Sequence, residues 1–334
     1  MAADWLQRQW FERRRLSPAL WFLLPGHWLF VTGSILKARL TTPQRLPVPV
    51  VVVGNLTVGG AGKTPLTLAL VQALRQRGRC PGIVSRGYGR QGQGAAAVTP
   101  TSAPAEVGDE PLLLARRAGV PVWVGSDRAA AARALLAAHP ETDLVLCDDG
   151  LQHGRLARDA EIAVFDGRGA GNGWRLPLGP LREPLSRLRR VTAVVCNGPR
   201  DERVVARAPG GVFDMVLRPG AFYRLDDPTV TCAATDLAGR PLHALAGIGD
   251  PGRFFRTLES LGLAFSRNPF PDHHAFTAAD LDFARGGVLL MTEKDAVKCA
   301  GLATGEAWVL PVTAEVPSAL IDLILEKIRG RQAS

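Results

Sequence analysis

Lysine is scarce in this chain. Of 40 cationic residues only Lys37, Lys63, Lys294, Lys298 and Lys327 are lysine, and the rest are arginine. An excess that general is a compositional bias, so single arginines carry little weight as signals. Paired cysteine is missing as well. Cys80, Cys147, Cys196, Cys232 and Cys299 stand singly, with no C-x-x-C, so neither a zinc knuckle nor a redox pair is indicated. Cys147 and Cys196 lie in apolar runs and read as small core residues, and a reducing compartment is expected. Internal repeats are absent. So is a guanine-reading Asn-Lys-x-Asp, which Glu293-Lys294-Asp295 does not supply. Residues 16–36 hold no Asp, Glu, Lys or Arg.

What is present supports a folded, basic protein. Hydrophobic residues make up 46% of 334, enough for real cores, and the length suits one large α/β domain or two. The net charge of +9 favours anionic partners: phospholipid, acidic glycolipid, nucleotide or nucleic acid. Residues 48–78 organise the rest. A short β-branched run, 50–53, reads as a buried parallel strand. Pro65 and Gly78 bracket a leucine- and alanine-rich helix. Between them stand Gly59, Gly60, Gly62, Lys63 and Thr64. Glycines let backbone amides turn inward on a phosphate chain, a helix N-terminus backs it, Lys reaches the β/γ-phosphates and a hydroxyl reaches Mg²⁺. The usual G-x-x-x-x-G-K-[ST] spacing asks for glycine at 57, where Thr57 stands instead.

The N-terminus sets Trp5, Trp10 and Phe11 among Arg8, Arg13, Arg14 and Arg15, ahead of the uncharged stretch. That stretch has the length of a membrane span, about 20 residues. Pro25, Gly26 and His27 interrupt it, and Lys37 and Arg39 follow. Three readings stand: a membrane-surface helix pair, a span, and a hydrophobic helix docked on the domain. A secretory signal peptide is not indicated, because the apolar part starts late and no clear cleavage site follows.

Strands are expected near residues 50, 83, 122, 145, 163 and 193, which makes a mostly parallel sheet with crossover helices. The loop Ser85-Arg86-Gly87-Tyr88-Gly89-Arg90 follows a strand, where ligands gather in open α/β sheets. Arg86 and Arg90 suit phosphates and Tyr88 a stack or hydrogen bond; a solvated basic turn is the plain alternative. Asp109, in Gly108-Asp109-Glu110-Pro111, reads equally as an N-cap or as a carboxylate facing phosphates. The strand ending in Asp148 and Asp149 has the form of a Walker B element, able to hold Mg²⁺. His153 is open between structure and function. A second half with strands near 243–248, 264–267, 287–292 and 308–312 and helices near 251–261, 278–285 and 318–329 reads as a smaller α/β domain. It carries Asp272-His273-His274, with imidazoles able to move protons near neutral pH. The charged Thr292-Glu293-Lys294-Asp295 closes one of its strands.

Taken together the chain resembles the tetraacyldisaccharide 4'-kinases, the lipid A 4'-kinases of Gram-negative bacteria. The motifs that carry the likeness are VGNLTVGGAGKTP from Val53, SRGYGR from Ser85, GDEP from Gly108, DDGLQH from Asp148, LREP from Leu181, PDHH from Pro271 and TEKDAVK from Thr292. Thr57 belongs to the family's own form of the loop. The resemblance implies a P-loop NTPase-like, mostly parallel sheet with helices on both faces, a second smaller α/β domain and an N-terminal membrane-associated helical region. The divisions it suggests are 1–42 at the membrane, 43–212 for the nucleotide, 213–240 as connector and 241–334 as the smaller domain. It implies ATP and Mg²⁺, an acylated glucosamine disaccharide 1-phosphate as acceptor, and the cytoplasmic face of the bacterial inner membrane, with no nucleic acid partner. Asp109 and His273 correspond to a catalytic pair, served by Lys63. The nucleotide contacts fall on Thr57, Val58, Gly59, Gly60, Ala61, Gly62, Lys63 and Thr64, and the metal contacts on Thr64, Asp148 and Asp149. Arg86, Tyr88, Glu110 and Arg182 are candidates for the acceptor. The rival classes are a membrane-associated P-loop ATPase or GTPase, a metallochaperone, and a non-catalytic membrane-anchored binding module.

Overall fold

The structure, a computed structural model, describes residues 2–13, 15–303 and 305–330. Arg14 and the outermost ends of the expected first and last regions, Met1 and residues 331–334, lie outside it. Helix α1 (Ala2–Phe11) precedes a 3₁₀ helix (Pro18–Leu23) that continues directly as α2 (Leu24–Leu40). Pro25, Gly26 and His27 do not interrupt this run, contrary to the sequence expectation. Pro25 falls in the first turn of α2, where its missing N–H has no partner to lose. His27 is buried, and its Nδ1 lies 3.1 Å from the Arg175 carbonyl and 3.2 Å from that of Leu176, so this nitrogen is the donor.

Next come β1 (Val50–Gly54), α3 (Lys63–Gln76), β2 (Pro81–Ser85), β3 (Ala96–Val98), α4 (Pro104–Val107), α5 (Asp109–Ala118), β4 (Val122–Val124), α6 (Arg128–Ala138), β5 (Leu144–Asp148), β6 (Ala160–Asp166), β7 (Ala193–Asn197), α7 (Glu202–Val205) and β8 (Val212–Asp214). Their strands form one eight-stranded sheet in the order β3-β4-β2-β5-β1-β6-β7-β8. All neighbours are parallel except β3 on β4. The β-branched run of β1 is buried throughout. Val51 and Val53 face a core that includes Leu66, Leu70 and Leu74 of α3, and Val50 and Val52 face another with Ala132 and Leu135 of α6. A strand covered on both faces has no use for polar alternation, which is why it reads as a continuous apolar run.

The chain then leaves through β9 (Val216–Pro219) and builds β10 (Phe222–Arg224), β11 (Thr231–Cys232), α8 (Ala234–Leu237), β12 (Leu242–Ala246), α9 (Pro251–Ser260), β13 (Ser266–Pro269), β14 (Val288–Thr292), α10 (Glu293–Cys299) and β15 (Ala307–Leu310). These strands make a second, six-stranded sheet, β11-β10-β15-β14-β12-β13. The chain returns through β16 (Val312–Glu315), antiparallel to β9 in a separate two-stranded ribbon. The outward and return passages between the sheets therefore run side by side. The last helix, α11 (Ser318–Arg329), packs Leu320, Ile321, Ile324 and Ile328 into the α3 side of the first core. The expectation that residues 241–334 form one smaller unit is corrected at this point: the final helix is back on the first sheet.

Candidate active site

The segment after β1 is positioned from three sides. Thr57 is buried and forms an antiparallel bridge with Leu181. Val58 N–H donates to the Pro180 carbonyl at 2.9 Å, and Arg182 N–H donates to the Leu56 carbonyl at 2.7 Å. Position 57 is thus extended backbone paired like a strand, so glycine is not required there. Gly62 is required: its φ is +97°, and a Cβ would stand 2.7 Å from Asn197 Nδ2. Asn55 ties the loop internally, donating to the Gly59 carbonyl at 3.0 Å and accepting from Lys63 Nζ at 3.3 Å.

Strand β5 lies next to β1, with Asp148 opposite Val53, so both aspartates emerge beside Lys63. Asp149 lies 3.7 Å from Lys63 Nζ and 3.4 Å from an Arg182 guanidinium nitrogen. Asp148 is fully buried; its Oδ1 accepts from Thr67 Oγ1 at 3.0 Å and its Oδ2 has no partner. The other wall belongs to the second sheet. Gly249, after β12, comes so close that a Cβ there would lie 2.8 Å from the Gly60 nitrogen. Between the two walls is a cavity of about 550 Å³, lined by Gly60–Pro65 on one side and by Ile248, Phe254 and Lys294 on the other, with Met215 and Leu217 also in its lining.

Asp109 does not cap its helix. Gly108 takes the N-cap position, with φ +93° and no side-chain cap, and Asp109 is the first residue of α5. Its carboxylate is left free to meet His273 Nδ1 at 3.8 Å. His273 has a left-handed backbone (φ +61°), its Nε2 is 3.8 Å from Asp272, and its ring lies 4.9 Å from that of Tyr88. The Arg86 guanidinium stands 5.8 Å over the Tyr88 ring.

A family model described as tetraacyldisaccharide-1-P 4'-kinase matches residues 19–329. The chain belongs to the tetraacyldisaccharide-1-P 4'-kinase family. It is similar to the tetraacyldisaccharide 4'-kinase of Dechloromonas aromatica, 63% identical over 335 residues and 100% of both chains. The protein of the same name from Azoarcus sp. is 52% identical, covering 95% of this chain and 94% of the relative. A crystal structure of LpxK from Aquifex aeolicus in complex with ATP matches with a TM-score of 0.74 at 29% identity, over 92% of this chain and 98% of that one. The kinase assignment and the α/β fold class expected from the sequence both stand.

Electrostatics in this 4'-kinase separate the two aspartates. Burial and the nearby Glu110 charge push the Asp148 carboxyl up to about 7, against the pull of Lys63. Burial also raises Asp149, but Lys63, Arg182 and Arg128 outweigh it and hold that carboxyl low. His153 is driven down to about 4, first by burial and then by Arg128, whose guanidinium lies 3.4 Å from its Nδ1. It is a neutral ring at physiological pH. Glu110 is engaged by Lys294 at 3.0 Å. Sequence reasoning did not single out Asn55, Thr67, Asn197 or Arg253, and it marked Lys294 only as part of the charged stretch 292–295. Thr67 sits three residues after Thr64 on the same helix, a spacing that placed it on one face with the phosphate loop. Asn197, which donates to the Ala61 carbonyl at 3.2 Å, was visible only as a strand end.

Proposed function

We propose that the protein transfers the γ-phosphoryl group of ATP to the 4'-hydroxyl of an acylated glucosamine disaccharide 1-phosphate. The observation that carries this reading is the approach of Asp109 and His273, one from each sheet, beside the loop that ends in Lys63. Amides of residues 59–64 and the Lys63 ammonium hold the triphosphate. Asp109 takes the proton from the acceptor hydroxyl, whose oxygen then attacks the γ-phosphorus while the bond to the β–γ bridging oxygen breaks. His273 orients Asp109 and relays the proton away. Phosphoryl transfer asks for little more than such positioning and charge neutralisation.

Mg²⁺ fits the residues present. Asp148 offers a buried oxygen without a partner. Among the described residues no group of three His, Cys, Asp or Glu forms a metal cage. Mg²⁺ suits such a site, since it takes one or two carboxylates and keeps its waters or phosphate oxygens. Thr64, Asp148 and Asp149 would hold it, and it would neutralise charge on the phosphates. Tyr88 lies against His273, Arg86 against Tyr88 and Arg182 beside Asp149, and these three suit the acceptor.

The run Pro18–Leu40 is long and apolar enough to cross a membrane by length and composition. Trp21, Phe22, Trp28 and Leu29 are exposed on it. We read it as the contact with the cytoplasmic face of the bacterial inner membrane, where an acylated acceptor is met. Residues 1–42 then serve the membrane, 43–212 with α11 the nucleotide, and the second sheet the closure.

Radiolabelled phosphate transfer from ATP to the lipid disaccharide tests this. Asp109→Asn and His273→Ala should each lower kcat by on the order of 10²–10⁴-fold with a small change in KM for ATP. Near-wild-type turnover in both variants would refute the assignment.

A further inference from the structure

The T-E-K-D stretch does close a strand, with Thr292 the last residue of β14. It also opens α10, whose first two residues reach back across the cleft to α5. Lys294 Nζ lies 3.0 Å from Glu110 and 3.1 Å from Asp272, and its side chain is largely buried. Glu110 is the neighbour of Asp109, and Asp272 is the neighbour of His273. One ammonium therefore grips the residue next to each member of the reacting pair. At the other end of α5, Arg117 is paired with Glu293. The two bridges have opposite polarity, so a slide of α10 along α5 would face like charges and is disfavoured.

We propose that Lys294 is the positioning residue that sets the Asp109–His273 approach, drawing the His273 loop and the start of α5 together when the two sheets close. The proposal rests on the reading of Asp109 and His273 as the reacting pair. Lys294 acts through its neighbours: its ammonium is already surrounded by two carboxylates, whose charges outweigh burial and raise its pKa, so it keeps its proton. A permanently charged group between two fixed carboxylates is suited to hold geometry, not to exchange protons.

The test is steady-state kinetics of the full-length protein with ATP and the lipid acceptor. Lys294→Met should lower kcat by on the order of 10-fold or more, with KM for ATP within about 3-fold of wild type. Lys294→Arg should recover most of that loss. In the His273→Ala background, Lys294→Met should cost less than about 3-fold further, because the residue it positions is gone. Asp272→Asn retains an oxygen for the His273 amide, which donates to Asp272 Oδ1 at 3.1 Å, but drops the ion pair to Lys294. It should show the same pattern, so the test holds even if Lys294→Met folds poorly. A raised KM for ATP with kcat unchanged, or an undiminished loss in the His273→Ala background, would overturn the proposal. Full turnover in His273→Ala alone would instead remove the reading of the pair on which it rests.

Discussion

At the residue scale, Asp148 carries the cost of the proposed metal site. Its carboxyl is raised from 3.8 to about 7 by burial and by Glu110. The unfolded chain ionises it first, so between about pH 4 and 7 each rise in pH removes stability from the metal-free fold. Above pH 7 the loss is complete, at most about 4 kcal/mol, and below pH 4 it is absent. Asp148→Asn can still accept from Thr67. Its Tm in EDTA should exceed that of wild type by several degrees at pH 8, and the gain should fade towards pH 4. The same variant should lose turnover by on the order of 10²-fold and should no longer release a proton on Mg²⁺ addition near pH 6.5, where wild type does. Thermal scans and calorimetry in buffers of different ionisation enthalpy read both. Most of these residues were legible because phosphate chemistry restricts side-chain choice: glycines, one Lys, a hydroxyl and paired aspartates have few other reasons to occur in this order. Asp109 was not legible from the residues alone, and only the resemblance paired it with His273. An acid opening a helix serves equally as a cap, and only the left-handed Gly108 in the cap position frees it.

At the element scale, six of the eight strands of the first sheet stand where the apolar runs put them, because strands buried on both faces declare themselves by composition alone; the short edge strands β3 and β8 did not. Helix α10 did not declare itself. It has seven residues, mostly charged, and no repeating apolar face. Its one signal was a Thr–x–x–Asp start, and Thr292 does accept from the Asp295 amide. The 3₁₀–α2 run raises a different question, since its apolar surface is turned outward. Trp21, Phe22, Trp28 and Leu29 are 60%, 70%, 63% and 77% exposed, so they contribute almost nothing to the described fold. Trp10, Leu20 and Leu178 do the docking, with Trp10 Nε1 donating to the Pro177 carbonyl at 3.0 Å. Changing the four exposed residues together to serine should leave Tm within about a degree. Each such side chain contributes about 1.5–3 kcal/mol on burial, so binding to anionic lipid vesicles should weaken by on the order of 10²-fold or more. Vesicle sedimentation measures it, and unchanged binding would mean that this face does not meet the membrane.

At the scale of the whole molecule, the two sheets are joined among the described residues by one ribbon, one returning helix, the packing of α10 on α5 with Val297 in the first core, and a few ion pairs. The return of α11 was beyond the sequence. Its amphipathic face says that it docks, but nothing in the pattern says on which sheet. The ion pairs across the cleft are of two kinds, and they predict opposite phenotypes. Glu293 is deeply buried, its carboxyl raised by burial in spite of Arg117. Arg117→Met would leave that acid without its charge partner and with the Val312 amide alone donating to it at 3.2 Å. A broken buried pair typically costs about 3–5 kcal/mol, so unfolding by urea should shift markedly to lower concentration. Arg253, on α9, reaches Asp166 at the tip of β6 at 3.2 Å, but Asp166 is also held by Arg168 of its own sheet at 2.6 Å. Arg253→Met therefore leaves no orphaned charge and should change stability by less than about 1 kcal/mol. What it removes is a tie between the sheets at the rim of the cavity beside Lys63, so on the proposed reading KM for ATP should rise several-fold while the urea midpoint stays in place. If Arg253→Met unfolded as readily as Arg117→Met, the two lobes would be one cooperative body held by every bridge alike, and closure around ATP would have no hinge to work on.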